Sequence, residues 1–451
     1  MIKSNRLAAA AAFGILFQVL IAHAEVTPDE AAKLKTTLTP LGGERAGNKD
    51  GSIPAWNGGY TKVSPGWQPG DLRPDPFSDE KPVLQITGKN VEQYVDKLSD
   101  GVTALLKMHP NFRVDVYPTH RTAAAPQWMY DNTFKNATQT KLSDDGSIEG
   151  ARGGVLFPIP KNGREVMWNH IATWTGGAGA EAVVRGIVVR ADGKPVLSDE
   201  LKWERKVPLY EDTGKKALNR EFFRFTRGLQ SAPAFKVGES MLMRETFSPR
   251  GQEAFQYLVG QRRVRRAPDL RFDTPNPTTS GQGHFDELFV FNGSLEMYDW
   301  KLIGKKEMFI PYNNNKFYAF KEADLFKEGV FNPDALRWEL HRVWVVEATL
   351  AAGKRHVVPK RRFFVNEDSW HAVLADGWDA QGQLWRMNIG IPFVAADGPG
   401  VVVASYATRD LLSGVTVMGG LFNETYPKYK IATPKSDSYF APDALAGDSL
   451  R

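Results

Sequence analysis

With 451 residues the chain can bury a large core unaided. Having no cysteine, it can form no disulfide framework, thiolate zinc site, iron–sulfur cluster, cysteine nucleophile or lipid-modified N-terminal cysteine. A formal charge of +5 is too dilute to mark a nucleic-acid binder, while 12 Trp, 13 Tyr and 26 Phe beside 41 Gly and 28 Pro favour strands, turns and grooves over a helical bundle.

Residues 1–24 read as a cleavable signal peptide. Lys3 and Arg6 form a positive start, Leu7 to Ile21 an apolar run, and Ala22-His23-Ala24 a small-residue cleavage site. Removing Lys3 and Arg6 takes the formal charge from +5 to +3. No later stretch reaches about 18 uninterrupted apolar residues, so the mature chain is expected to be soluble or peripheral, in the periplasm.

Thr27-Pro28-Asp29-Glu30 carries the capping box of a short helix. Between Thr39 and Pro82 there are 8 Gly and 7 Pro in 44 residues, interrupted by Trp56, Tyr60, Trp67 and Phe77. A solvated tail has no use for those rings, so the segment reads as an extended arm pinned to the body by its aromatics. Asn90 is expected to cap a helix over Val91, Tyr94, Val95 and Leu98, and a second helix carries Val102, Leu105 and Leu106. Pro126 opens another with Trp128 and Met129. Asn162 with Glu165 caps a fourth bearing Val166, Met167, Ile171 and Trp174.

From Ala182 onward the pattern turns to strands. Val183 to Val189 ends in the hairpin signal Ala191-Asp192-Gly193 and is followed by a return strand. Further strands are predicted at Glu221 to Gly228, Phe235 to Glu245, Phe255 to Val264, Trp300 to Ile310, Trp338 to Leu350, His356 to Val365, Trp370 to Ala375 and Leu384 to Ile391. The clearest alternation runs from Trp338 to Thr349. No repeat of fixed period appears, which disfavours a propeller or solenoid.

Chemistry is sparse. The seven histidines left after processing have no metal-ligand spacing, and there is no nucleophile elbow, Walker loop or dinucleotide fingerprint. No cofactor and no metal is expected. Arg262, Arg263, Arg265 and Arg266 read first as solvated edge charges that discourage strand pairing. As a function they offer a docking patch for anionic head groups or an acidic partner. The aromatic surplus serves mainly a core, but a sheet rich in Trp and Phe on one face can also leave a cleft for an apolar ligand.

Several stretches carry a resemblance: Leu38-Thr39-Pro40-Leu41-Gly42 with Gly51-Ser52-Ile53-Pro54-Ala55-Trp56, Tyr117-Pro118-Thr119-His120-Arg121-Thr122, and Phe157-Pro158-Ile159-Pro160-Lys161-Asn162-Gly163. To these are added Val264-Arg265-Arg266-Ala267-Pro268, Trp300-Lys301 with Pro311-Tyr312-Asn313, and Gly382-Gln383-Leu384-Trp385-Arg386. Together, over essentially the whole mature chain, these resemble the bacterial periplasmic proteins of domain-of-unknown-function family 1329. That family is similar to the outer-membrane lipoprotein carrier (LolA/LolB-like) superfamily. The resemblance implies a curved, incompletely closed antiparallel sheet with helices over its mouth and a hydrophobic cavity, in members encoded near efflux-type transporters and outer-membrane proteins. It supplies no catalytic residues. Without a lipidated cysteine the protein would be free to shuttle, and its N-terminal region is much longer than that of small carriers.

The expected fold is α+β and β-dominated: a strongly curved, half-open antiparallel β-barrel covered by short helices, with a long Gly/Pro-rich arm. The expected divisions are a signal peptide over 1–24, arm and helices over 25–150, the curved sheet over 151–422 and a tail over 423–451. The expected function is periplasmic binding or carriage of an acyl chain, sterol-like molecule or lipoprotein lipid, passed to an envelope partner. The alternatives are an envelope hydrolase or an adaptor of an efflux-type transporter. Expected partners are a hydrophobic small molecule or lipid and an efflux-type transporter with its outer-membrane protein, with peripheral membrane contact, no nucleic acid and a monomeric chain. The cavity candidates are Trp168, Trp174, Phe223, Phe225, Tyr257, Trp338, Trp344 and Trp385.

Overall fold

The computed structural model describes residues 26–211, 221–248, 252–267 and 272–448, so the signal-peptide segment lies outside it. Sixteen strands form one sheet: β1 (Leu84–Thr87), β2 (Arg113–Val116), β3 (Gly179–Val189), β4 (Pro195–Lys206), β5 (Phe222–Ala232), β6 (Ser240–Thr246), β7 (Glu253–Leu258), β8 (Arg263–Arg266), β9 (Tyr298–Pro311), β10 (Trp338–Leu350), β11 (Lys360–Asn366), β12 (Ala372–Trp378), β13 (Leu384–Ala395), β14 (Gly400–Asp410), β15 (Thr416–Leu421) and β16 (Lys430–Ile431). The spatial order is β1-β2-β10-β11-β12-β13-β14-β15-β3-β4-β5-β6-β7-β8, with β9 paired to β10 and β16 to β3. Pairing is antiparallel apart from one parallel bridge between Trp338 and Val116. The sheet is large and curved and does not close on itself, as the predicted half-open architecture requires.

The helices are short: α1 (Pro28–Ala32), α2 (Asp100–Met108), α3 (Gln127–Gln139), α4 (Gly163–Ile171) and α5 (Ala444–Asp448). α1 starts at the predicted capping box, with Thr27 Oγ1 accepting from Glu30 N and Thr27 N donating to Glu30 Oε2. Asn162 caps α4 by accepting from Glu165 N at 3.0 Å. The helix predicted after Asn90 is not an α-helix but two 3-10 turns, Val91–Gln93 and Val95–Lys97. Asn90 accepts from Thr87 N and donates to Gln85 O, so its side chain closes the preceding turn instead of capping forward. The strand predicted from Phe255 to Val264 is a hairpin, β7 and β8, turning through Arg262 at φ 50°. The strand predicted from Phe235 begins only at Ser240, after a 3-10 turn at Ala234–Lys236.

The arm is pinned as its aromatics foretold. Trp56 Nε1 donates to Ala123 O at 2.9 Å, and Phe77 stacks on His120 with ring centroids 4.0 Å apart. Gly42 and Gly59 have positive φ, and a Cβ on either would meet a carbonyl oxygen, Pro158 O or Ala123 O, at 2.3 Å. Only glycine lets the arm lie this close. The main anchor is Arg121, whose Nε and Nη2 grip the Asp368 carboxylate at 2.8 and 2.6 Å while Nη2 also reaches Glu44 O in the arm. Farther along, Arg73 pairs with Asp397 and donates to Tyr429 O. The C-terminal segment is docked too: Phe440 and Leu445 cover Phe225, Leu242 and Tyr257 on the face of the sheet opposite the main core.

Arg121 and Asp368 have side chains only 2% exposed. Replacing Arg121 with Ala strands Asp368, with Glu367 beside it, in the interior, at an expected cost of about 3–5 kcal/mol. Denaturant midpoints of both proteins measure this, and a loss under about 1 kcal/mol would show that the arm is held without the ion pair.

Candidate functional site

Inward-facing positions of the sheet alternate along each strand and line up across strands by register. In the half built from β3 to β7 they form ranks. Arg205, Thr226 and Met243 make one, and Trp203, Gly228, Met241 and Gln256 the next. Leu201 with Gln230, then Asp199 opposite Gly186, complete the series. Thr226, Gly228 and Gly186 are small, and the sheet curves away from its cover, so a cavity of about 170 Å³ remains. Its far wall is the end of α4 at His170 and Ile171 together with segments of the loop between Asn276 and Asn292, including Phe289 and Phe291. β14 and β15 close one flank with Tyr406, Gly419 and Gly420. Tyr406 fits because Gly419 has no Cβ; one built there would lie 2.6 Å from the phenol oxygen.

Asp199 and Arg205 lie six positions apart on β4, so the groove is about 20 Å long at strand rise. The exposed wall residue Pro277 lies at the Asp199 end, whereas half-buried ones occur along the whole length, from Glu239 and Leu258 to Trp203, Arg205 and Thr226. At the Arg205 end lie the buried His170, His371 and Phe223. Both histidines are neutral. Burial pushes His170 down to about 3 and His371 to about 4, and their Nε2–H groups bond to Phe291 O and Val401 O. Arg224 is gripped by Glu245 through two guanidinium nitrogens and donates to Ile171 O. Among the described residues Arg205 has no carboxylate partner; its Nη2 donates to Thr175 Oγ1 and Tyr429 Oη, its guanidinium lies over the Trp203 ring at 5.3 Å, and burial lowers its affinity for the proton.

Of the predicted cavity residues, Phe223 lines this wall. The other seven lie elsewhere. A β-bulge between Phe222 and Arg224 directs the consecutive Phe223 and Arg224 inward and so sends Phe225 to the opposite face. Tyr257 faces the same way, since its neighbours Gln256 and Leu258 point in. Trp168 packs behind Phe223, its ring 6.0 Å away, and Trp174 packs edge-on to Tyr210 and Trp128. Trp338 is fully buried in the core of the other half of the sheet. Trp344 lies over Trp370 with Lys305 against its ring. Trp385 bonds to Asp410 at the end of β13. Arg262, Arg263, Arg265 and Arg266 are all exposed, at a turn and on strand β8, which ends the sheet's path.

Trp203, Arg205, Met241 and Met243 were not anticipated, although β4 announces them. Its positions Glu200, Lys202, Glu204 and Lys206 are uniformly charged, which leaves Asp199, Leu201, Trp203 and Arg205 as the inward set. An arginine and an aspartate on that face break the rule that such a face is apolar, and mark the ends of the groove. Among the described residues no group of three or more His, Asp and Glu is placed to hold a metal ion.

Asp199 is pushed up to about 7 by burial, against the pull of Lys236 and of hydrogen bonds from Gln230 and Ser198. In the unfolded chain this carboxyl loses its proton near 4, whereas the folded protein holds it until about 7. Stability therefore falls as pH rises between those values, and the penalty, about 4 kcal/mol at most, is complete above them. Asp199→Asn is expected to gain on the parent across that window and to run parallel to it above pH 8. Denaturation midpoints at a series of pH values test this; parallel curves from pH 4 to 8 would contradict it.

Comparison with known proteins adds the following. The family model described as "Protein of unknown function (DUF1329)" matches residues 85–446. An uncharacterized protein of Pseudomonas aeruginosa is 38% identical over 451 aligned residues, covering 97% of this chain and 98% of that protein. Among solved structures, a putative outer membrane lipoprotein-sorting protein domain from Vibrio parahaemolyticus is 11% identical with a TM-score of 0.43, over 62% of this chain and 97% of that one. A DUF1329 family protein from Desulfovibrio piger is 16% identical with a TM-score of 0.39, over 60% and 92%. A LolA superfamily protein from Nitrosomonas europaea is 12% identical with a TM-score of 0.38, over 63% and 100%.

Proposed function

Because the chain belongs to the DUF1329 family of proteins of unknown function, its role has to be read from its own geometry, and we propose that it is a periplasmic binding or carrier protein holding an apolar ligand in the groove along β4. The observation that carries this reading is the hollow itself. Leu201, Trp203, Met241, Met243 and Phe223 turn apolar surface toward this open space. Each methylene transferred there from water gains about 0.8 kcal/mol. The cavity of about 170 Å³ accepts a group near the size of benzene. The remainder of a longer acyl or sterol-like ligand would run toward Asp199.

Export through residues 1–24 and hand-over to an envelope partner complete the proposal. No helix among the described residues is long and apolar enough to cross a membrane. The hydrolase alternative gains no support at the wall, where His170 uses both ring nitrogens, donating to Phe291 O and accepting from Ala372 N.

Organic extraction of the purified protein followed by mass measurement is expected to release a lipid, and titration with a fluorescent fatty acid to show saturable binding. Thr226→Phe fills the Arg205 end of the groove and is expected to weaken that binding at least about tenfold while the protein stays folded, since overpacking costs about 1–3 kcal/mol. An empty extract together with no fluorescent binding by the unaltered protein would refute the carrier reading.

A further inference from the structure

We propose that Arg205 is the receptor for the head group of the ligand, and that the ligand is an amphiphile bearing one carboxylate, bound head first. This rests on the carrier reading and specifies its cargo. A guanidinium taken out of water costs several kcal/mol unless an anion compensates it. The other wall arginines obey that rule: Arg224 is paired with Glu245, and Arg185 with Glu200 and Glu322. Arg205 is the exception. Among the described residues no carboxylate lies within ion-pair distance of it; Nη2 meets only the neutral hydroxyls of Thr175 and Tyr429, and Nε donates to nothing.

Nothing else at that end supplies the missing charge. Glu245 is engaged by Arg224, and His170 and His371 face main-chain carbonyls. The structure therefore sets one cation without an ion partner at the end of an apolar groove opposite the exposed Pro277. A planar carboxylate matches the guanidinium fork, while its chain would pass Trp203, Met241 and Leu201. A phosphate monoester would bring a second negative charge that no free cation awaits, so a monoanion is favoured.

The test is calorimetric titration of the full mature chain with palmitate, hexadecanol and hexadecyl phosphate, repeated on Arg205→Gln and Arg205→Lys. Palmitate is expected to bind at least about tenfold more tightly than hexadecanol, each tenfold being about 1.4 kcal/mol. Arg205→Gln should abolish that preference without changing hexadecanol affinity, and Arg205→Lys should restore part of it. Thermal melting without ligand controls for folding. An Arg with no ion partner is expected to be replaced by Gln without loss of stability, whereas a lowered melting temperature would give Arg205 a structural role and overturn the proposal. Equal binding of palmitate and hexadecanol would sink the head-group assignment and leave the carrier reading standing. Tighter, Arg205-dependent binding of hexadecyl phosphate would replace the carboxylate by a phosphate. Failure of all three to bind would remove both readings.

Discussion

A single sheet of sixteen strands has two faces to hide, and the way this chain covers them determines everything else. Around β10 to β13 the cover is complete. The arm, the 113–125 segment and α2 bring buried rings and aliphatic side chains onto the sheet, and α2 approaches so closely that a Cβ on Gly101 would meet Met387 Cβ at 2.9 Å. Over the outer face of β5 to β7 the C-terminal segment does the same work with Phe440 and Leu445. Over the inner face of β3 to β7 the cover is α4 and the 276–292 loop, and it stops short. Gly228, Gly186 and Thr226 lack the volume to reach it, so space remains.

Electrostatics separates the two halves as well. In the solid half three buried arginines are compensated: Arg121 by Asp368, Arg337 by Glu339 and Glu80, and Arg361 by Asp286. These pairs tie the arm to the sheet, although the same half also buries Asp376, which is held by the Ser99 hydroxyl and the Asp100 and Gly101 amides and is likewise pushed up to about 7 by burial. The hollow half holds a buried acid that stays protonated to about 7 and an arginine with no counter-ion. An apolar side chain of similar size in place of either group would cost less to bury.

The sequence made the general form legible because the form rests on periodicity and caps. Thr27 with Glu30 and Asn162 with Glu165 declared their helices, and the alternation from Trp338 onward marked β10. Asn90 misled, since the same amide that caps a helix also closes a turn. β14 and β15 went unread because Val401-Val402-Val403-Ala404 is a continuous apolar run without the alternation that identifies a half-buried strand. The site was legible only in part. Of the aromatics expected there, Phe223 borders the groove, whereas a bulge that leaves no trace in the amino-acid pattern turns Phe225 away. Trp203 and Arg205 were readable from the charged alternate positions of β4, a pattern whose significance depends on knowing that its other face is enclosed.

Crystals grown with hexadecanoic acid brominated at its terminal carbon would test the central claim most directly, through the anomalous signal of the bromine. The account predicts a peak inside the groove, beside Leu201 toward Asp199, with continuous density leading back to Arg205. A bromine found only on the outer surface, with the space between β4 and α4 filled by water or by rearranged side chains, would contradict it.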